Sequence, residues 1–193
     1  MMFVLTLDQI GSRTGGDLVP EILERYDHSS FVRALERTAG DEVQCVIDDP
    51  ATVRSIIVDL LRDGRWHIGI GAGAVEIGDT ARSGSGPAYL HAREAVEAAK
   101  ALTRFTPSVA IRGDHESARD AESLARLLGT LIGSRTSAQW EAIDALRAGE
   151  TPAQIAHRLA ISVEAVSQRR GHGAQVVEEA CWPLLDRLLG EAG

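Results

Sequence analysis

Carboxylates mark the ends of two apolar segments near the start of the chain. Asp8 ends the predicted strand Leu5–Leu7, while Asp41 and Glu42 lie at a predicted hairpin turn before the strand Cys45-Val46-Ile47. If the two strands are neighbours in a sheet, these carboxylates meet at one edge and repel one another unless a cation lies between them. Hard oxygen ligands favour Mg²⁺ or Mn²⁺, and such an ion would also hold the phosphates of a nucleotide.

The elements that must position these carboxylates alternate along residues 1–133. The apolar patterns predict strands, including a hairpin arm before the acidic turn, at Val4–Asp8, Phe31–Thr38, Val43–Ile47, Trp66–Gly73 and Val109–Ile111. They predict helices that begin near Pro20, Pro50, Ala88 and Glu116, with a flexible connection over Gly78–Gly86. The order βαββαβαβ predicts an α/β or α+β domain in which helices cover one sheet.

Glycines recur at every second position of the predicted strand Trp66–Gly73. Gly69, Gly71 and Gly73 all fall inside the strand, whereas a dinucleotide-binding loop has its glycines between a strand and a helix. Glycines inside a strand are typical of a site where another element approaches closely. We therefore expect a helix to pack directly on this strand.

Residues 134–193 form a predicted second, all-helical domain. The apolar spacing and Ser162, a good N-cap, indicate a helix-turn-helix. Candidate DNA-contacting residues in and beside its last two helices are Arg158, Ser162, Ser167, Gln168, Arg169 and Arg170. A last helix over Val176–Leu189 is expected to pack on the first domain or on a second subunit, so a homodimer is expected.

The overall charge and composition limit these possibilities. The 193 residues carry a net charge of −8, which argues against broad adhesion to nucleic acid. Residues 135–193 hold six Arg against eight Asp and Glu, so any DNA contact must be local. No stretch approaches the roughly 20 apolar residues of a membrane span. Cys45 and Cys181 lack a disulfide or zinc motif, so we expect a reducing, cytoplasmic location.

Four blocks of this sequence resemble, in order, those of the SatD family. They are Met2–Arg13, Gly40–Gln44, Ile68–Gly71 and Gly86–Arg93, and a helix-turn-helix tail is also typical of that family. The resemblance covers most of the chain. It implies an architecture and carries no settled activity.

The same blocks are similar, more distantly, to the palm domain of class III nucleotide cyclases and diguanylate cyclases. That resemblance implies a ferredoxin-like, palm-like sheet with Asp8, Asp41 and Glu42 as metal ligands. It implies that Arg93 stabilises a transition state. The phosphate-binding candidates are Gly11, Ser12, Arg13 and Arg93. Tyr89 departs from the pattern, because the cyclases have a transition-state Asn at that position.

Three functions stay open at this point. The leading interpretation is a DNA-binding regulator whose palm-like domain binds a nucleotide or phosphate ligand, with or without Mg²⁺ or Mn²⁺. The first alternative is a metal-dependent nucleotidyl cyclase or a related phosphoryl-transfer enzyme. The second alternative is an interaction scaffold without catalytic activity.

Overall fold

The computed structural model describes residues 1–27 and 31–193. Five strands are present there: β1 (Met2–Gln9), β2 (Arg33–Ala39), β3 (Glu42–Ile47), β4 (Trp66–Gly73) and β5 (Val109–Arg112). The helices of the same ranges are α1 (Val19–Arg25), α2 (Pro50–Asp63), α3 (Pro87–Lys100), α4 (Ser117–Gly133), α5 (Ser137–Arg147), α6 (Pro152–Leu159), α7 (Val163–His172) and α8 (Gln175–Gly190). No helix in the described part of the chain is long and apolar enough to span a bilayer. The predicted order βαββαβαβ is confirmed, and the protein is a mixed α/β structure.

The five strands form one mixed sheet in the order β2-β3-β1-β4-β5. Only the β4–β5 pair is parallel, because α3 carries the chain back across the sheet between these two strands. β1 is central and lies antiparallel to β3, so that Asp8 faces Glu42 directly across the pair. The condition that the two acidic segments lie on neighbouring strands is therefore met.

The main core lies on one face of the sheet. Odd-numbered positions of β1, such as Phe3, Leu5 and Leu7, point into it, together with Ile68 and Ile70 of β4. Helices α1, α2 and α4 cover this face, and α2 begins where the Asp49 side chain caps the amides of Ala51 and Thr52.

The last helix belongs to this same core. Leu185, Leu189 and Ala192 are fully buried within it, and α8 packs against α2 and α4. The expected packing of the last helix on the first domain is therefore confirmed, and its contact with a second subunit stays a prediction. We call β1–β5 with α1–α4 and α8 the sheet domain, and α5–α7 (residues 137–172) the three-helix unit.

Helix α3 packs on the opposite face of the sheet, directly over the glycines of β4. A Cβ atom on Gly69 would lie within 3.0 Å of Val96 backbone atoms, and one on Gly71 equally close to backbone atoms of Ala88 and Ala92. The expected close approach of a helix to this strand is confirmed. Because α3 lies over β4, it leaves the neighbouring β1 and β3 partly uncovered on this face.

The connection over Gly78–Gly86 is not the flexible linker that its glycine content predicted. Residues Ala81–Ser83 form a short 3₁₀ helix, and Glu76 pairs with Ser85 in an isolated antiparallel bridge. Ala81 is buried, and the Arg82 amide donates to the Glu36 carboxylate of β2. Packing against the β2 edge therefore orders this segment.

The three-helix unit has a small core of its own. Ala145, Ile155, Ala156 and Val166 are buried together, with Leu146, Leu159 and Ile161 packed against them. Ala160 adopts a left-handed conformation between α6 and α7, with φ of 52°. The Ser162 hydroxyl then accepts the Ala165 amide and begins α7, as predicted for its N-cap.

Candidate functional site

A cavity of about 850 Å³ lies beside α3, above the uncovered part of β1 and β3. It is of the size that holds a small-molecule ligand. Its walls come from β1, β3, the 3₁₀ segment and the exposed side of α3. The lining residues are Thr6, Glu42, Gln44, Arg82, Gly84, Ser85, Gly86, Pro87, Tyr89, Leu90, His91, Arg93, Glu94, Val96 and Glu97.

Polar side chains form the floor of this cavity. Thr6 is central in the sheet and only 2% exposed, and its hydroxyl accepts a hydrogen bond of 3.0 Å from the Gln44 amide. The Thr6 hydroxyl hydrogen and the Gln44 carbonyl remain available to a ligand, because the described residues give them no partner. A polar floor in mid-sheet suits a ligand that is itself polar.

Two arginines on the cavity wall have free guanidinium groups. No carboxylate in the described residues pairs with the side chains of Arg82 or Arg93. By contrast, Glu42 on the opposite wall is occupied, because its Oε1 accepts a 2.6 Å hydrogen bond from the Thr38 hydroxyl. The cavity therefore offers two guanidinium groups that suit an anionic ligand, beside the carboxylates of Glu42 and Glu94, which have no cation partner in the described residues.

Asp8 lies at the end of β1 and forms an ion pair with a lysine of the same chain. The Lys100 Nζ lies 2.8 Å from its Oδ2 and 3.1 Å from the Glu97 Oε1. The side chains of Asp8 and Lys100 are 16% and 30% exposed, so water screens their ion pair only partly. Lys100 thus supplies the positive charge that the carboxylate of Asp8 requires.

The carboxylates do not fit a metal centre as they stand. Within residues 1–27 and 31–193, no three His, Cys, Asp or Glu side chains form a group that could hold an ion. Asp8 is neutralised by Lys100, Glu42 is held by Thr38, and Asp41 contributes its main-chain carbonyl to Gln9. Metal binding by Asp8, Asp41 and Glu42 stays a prediction, with the position of Lys100 as the observation against it.

The same end of β1 perturbs two titratable groups. Partial burial alone would lower the pKa of Lys100, but its contacts with Asp8 and Glu97 outweigh this and raise it. Burial lowers the pKa of His67, whose Nδ1 lies 2.6 Å from the Ser108 hydroxyl. At neutral pH, Lys100 therefore stays charged.

The other predicted ligand residues are divided between two places. Gly11, Ser12 and Arg13 form a compact turn after β1, where the Gly11 carbonyl accepts the Thr14 amide, and none of the three lines the cavity. Arg93 does line it, together with Glu42. Arg93 therefore shares a cavity with Glu42 and does not share one with the turn Gly11–Arg13.

Tyr89 has a structural contact. Its hydroxyl donates a 2.7 Å hydrogen bond to the Ala81 carbonyl and so fixes the 3₁₀ segment against α3. Tyr89 thus helps to shape the cavity wall.

The candidate DNA-contacting residues differ in their freedom to bind. Arg158 pairs with Glu150 at 3.0 Å, and Arg169 pairs with Glu141 at 3.3 Å. Ser167, Gln168 and Arg170 are exposed on α7 and have no side-chain partner in the described ranges. Arg170 is therefore the free cation of this helix.

Sequence reasoning missed Lys100, Arg82 and the Thr6–Gln44 floor. A signal for Lys100 was present, because it is the only lysine in a chain whose other basic side chains, apart from histidine, are 19 arginines. Arg82 lay in a segment that was predicted to be flexible. The partnership of Thr6 and Gln44 depends on strand register, which single-sequence patterns do not give.

We predict that Lys100→Met lowers the free energy of unfolding by about 1 kcal/mol and creates a weak Mn²⁺ site. The variant leaves Asp8 and Glu97 without their shared cation. Because the folded-state pKa of Lys100 is raised, its contribution is fully present below the unfolded pKa of about 10.4 and is lost only at higher pH. Thermal unfolding at pH 7 with and without Mn²⁺ measures both effects. Lys100→Arg is the control that keeps the charge, and equal Mn²⁺ stabilisation of the wild type would contradict this account.

Comparisons with protein-family models, with curated proteins and with solved structures find no match to this chain.

Proposed function

We propose that this protein is a DNA-binding regulator whose sheet domain binds a nucleotide or another phosphate-bearing ligand. In this proposal the three-helix unit is a helix-turn-helix, and the sheet domain is palm-like. The observation that carries it is the position of unpaired arginines. Arg82 and Arg93 line one ligand-sized cavity, and Arg170 lies on the exposed side of α7.

The turn between α6 and α7 supports the helix-turn-helix assignment. Ala160 in the left-handed region ends α6, α7 begins three residues later, and the small side chain of Ala156 lets the two helices approach. Val166 fills the space between them. A turn of this kind holds a second helix in the position from which recognition helices enter the major groove.

The exposed side of α7 supports DNA as the partner. Arg170 can meet a phosphate or a guanine edge, while Ser167 and Gln168 can donate to and accept from base edges. Arg158 and Arg169 would first have to leave Glu150 and Glu141. Ser162 can donate its hydroxyl hydrogen to a phosphate while its oxygen caps the helix.

The cavity beside α3 supports a phosphate-bearing ligand. Guanidinium groups bind phosphate through paired hydrogen bonds, and those of Arg82 and Arg93 need not break an existing ion pair to do so. The polar floor can read a base or sugar through Thr6 and Gln44. The charge on Lys100 makes a bound metal unnecessary for neutralising Asp8.

Arg170→Ala is predicted to weaken DNA binding about 5- to 10-fold and to reduce the salt slope by about one ion. A change of this size in affinity and salt slope is what the loss of one phosphate or base contact produces. Fluorescence anisotropy on a labelled duplex from upstream of the protein's own coding sequence measures both quantities. Arg187→Ala is the matched control, since Arg187 is 59% exposed on α8 outside the three-helix unit. Equal binding by the wild type and Arg170→Ala would contradict the assignment of α7.

Calorimetry with ATP and GTP tests the cavity in the wild type. We expect binding in EDTA that added Mg²⁺ does not strengthen, because the cations of the site are side chains. Binding that requires Mg²⁺ would instead favour the nucleotidyl cyclase. That alternative is supported by Asp8 facing Glu42 and by Arg93 in the cavity that Glu42 also lines. Labelled ATP or GTP converted to a cyclic product, and not by Asp41→Ala, would establish that alternative.

Measurements on the same samples test the interaction scaffold and the homodimer. Absence of both nucleotide and DNA binding would favour the scaffold. The homodimer stays a prediction, and sedimentation velocity measures it directly.

A further inference from the structure

The three-helix unit is joined to the sheet domain by two short connections. The chain enters the unit through Ser134–Thr136, after α4, and leaves it through Gly173–Ala174, before α8. Each connection separates the end of one helix from the start of the next. Ala174 has φ of 50°, and a Cβ on Gly173 would clash with the side chain of Ile143. The unit can therefore move as one body only if these two points rotate together.

One arginine ties the two connections to each other. The Arg135 Nε, in the first connection, donates a 2.6 Å hydrogen bond to the Gly173 carbonyl in the second. Its Nη2 lies 2.7 Å from the Glu178 carboxylate of α8, and both side chains are fully buried. Its guanidinium also lies over the Trp140 ring, 4.6 Å from the centroid. Arg135 therefore contacts both connections, α5 and α8 at once.

Other charged groups complete the contact. The Arg147 Nη2 of α5 reaches the same Glu178 at 3.0 Å, and its Nε reaches Glu179 at 3.2 Å. On the same face of α5, three residues before Arg147, Asp144 accepts two hydrogen bonds from Arg62 of α2. Ion pairs from both α2 and α8 thus hold α5 to the sheet domain.

This buried network is incompletely satisfied. Glu178 Oε1, Gln175 Oε1, Trp182 Nε1 and the Arg135 Nη1 and Nη2 atoms are buried without a hydrogen-bond partner in the described residues. The Arg135–Glu178 contact is an ion pair whose Nη2 lacks hydrogen-bond alignment. Water would satisfy all of these atoms if the contact between Arg135 and Glu178 opened. Hydration therefore favours an open arrangement, in which that contact is broken, while the ion pairs favour the closed arrangement seen here. Such opposed terms are what a two-state element requires.

We propose that Arg135 and Glu178 form a latch that fixes the orientation of the three-helix unit on the sheet domain. When the latch opens, the unit swings on its two connections and Trp140 leaves the margin of the main core, while the unit's own small core stays intact. This regulatory device goes beyond the proposed function, and its test needs neither DNA nor a nucleotide.

Distance measurements between spin labels test the latch. Cysteines replace exposed Ser55 on α2 and Ala153 on α6, in a Cys181→Ser background that leaves only buried Cys45. We expect one narrow distance distribution with the latch intact, and a broad or two-peaked distribution with Glu178→Gln. Arg187→Gln, which removes an exposed α8 ion pair, is the control and should stay narrow.

Hydrogen exchange supplies a second readout. The amides of the two connections, where Arg135 donates to the Ile132 carbonyl and Ala174 to the Gly171 carbonyl, should exchange roughly tenfold faster in Glu178→Gln, while those of β1 and β4 keep their wild-type rates. A narrow distribution and unchanged exchange in folded Glu178→Gln would overturn the proposal. If that variant does not fold, Arg135→Lys keeps the charge and loses the Nε bond to Gly173. A broad or two-peaked distance distribution in Arg135→Lys would support the latch, and a narrow, wild-type distribution would overturn it.

Discussion

Gly71→Ala is expected to lower the free energy of unfolding by about 3 kcal/mol, near the upper end for an overpacked core. The added Cβ would lie well under 3.0 Å from the Ala88 carbonyl and the Ala92 amide. Both are backbone atoms of α3, so the whole helix must shift away from β4. That shift also deforms the cavity wall that carries Arg93. Urea unfolding monitored by circular dichroism measures the loss.

Gly133→Ala is the matched control for this substitution. Gly133 lies in the last turn of α4, and a Cβ there would meet nothing within 4 Å. Because alanine favours a helix over glycine, we expect no loss and a gain of up to about 0.5 kcal/mol. A similar loss in both variants would show that backbone freedom matters at Gly71 more than close packing does.

The double variant Arg82→Ala/Arg93→Ala is expected to weaken ATP binding roughly 100-fold, and each single variant roughly 10-fold. Each change removes a charge-assisted hydrogen bond to phosphate. The unfolding free energy should change by less than about 0.5 kcal/mol, because neither guanidinium pairs with a carboxylate in the described chain. Calorimetry in EDTA gives the affinities.

Arg119→Ala controls for the general loss of positive charge. Arg119 is exposed on α4, lines a different cavity and has no carboxylate partner among the described residues. Its loss should leave ATP affinity unchanged. An equal effect from Arg119→Ala, or none from the double variant, would move the ligand away from the cavity beside α3.

The order of elements could be predicted because local patterns determine it. The spacing of Val53, Ile56, Ile57 and Leu60 indicates a helix, and all four side chains are buried in α2. The alternation of glycines in β4 predicted the close approach of a helix, although not that the helix is α3. The hairpin assignment predicted the pairing of β2 with β3, whereas the pairing of β1 with β3 entered only as a condition.

The contents of the site could not be predicted in the same way. Lys100 and Asp8 are separated by most of the sheet domain in sequence, so their contact depends on where α3 crosses the sheet. The 3₁₀ segment that carries Arg82 has the composition of a linker and is ordered by tertiary contacts, with β2, with Tyr89 and through Ala81 with Val4 and Val46. Burial of Glu178 against Arg135 likewise contradicts local polarity and requires the packed arrangement of α8.

The position of α8 has a consequence for synthesis on the ribosome. Leu185, Leu189 and Ala192 complete the core beneath the sheet, yet they are translated after all of α5–α7. The three-helix unit, whose contacts are local in sequence, can fold as soon as it emerges. The sheet domain is the first part of the chain to emerge from the ribosome, but its core is the last to be completed. Its nascent chain therefore exposes an unfinished apolar surface until α8 arrives.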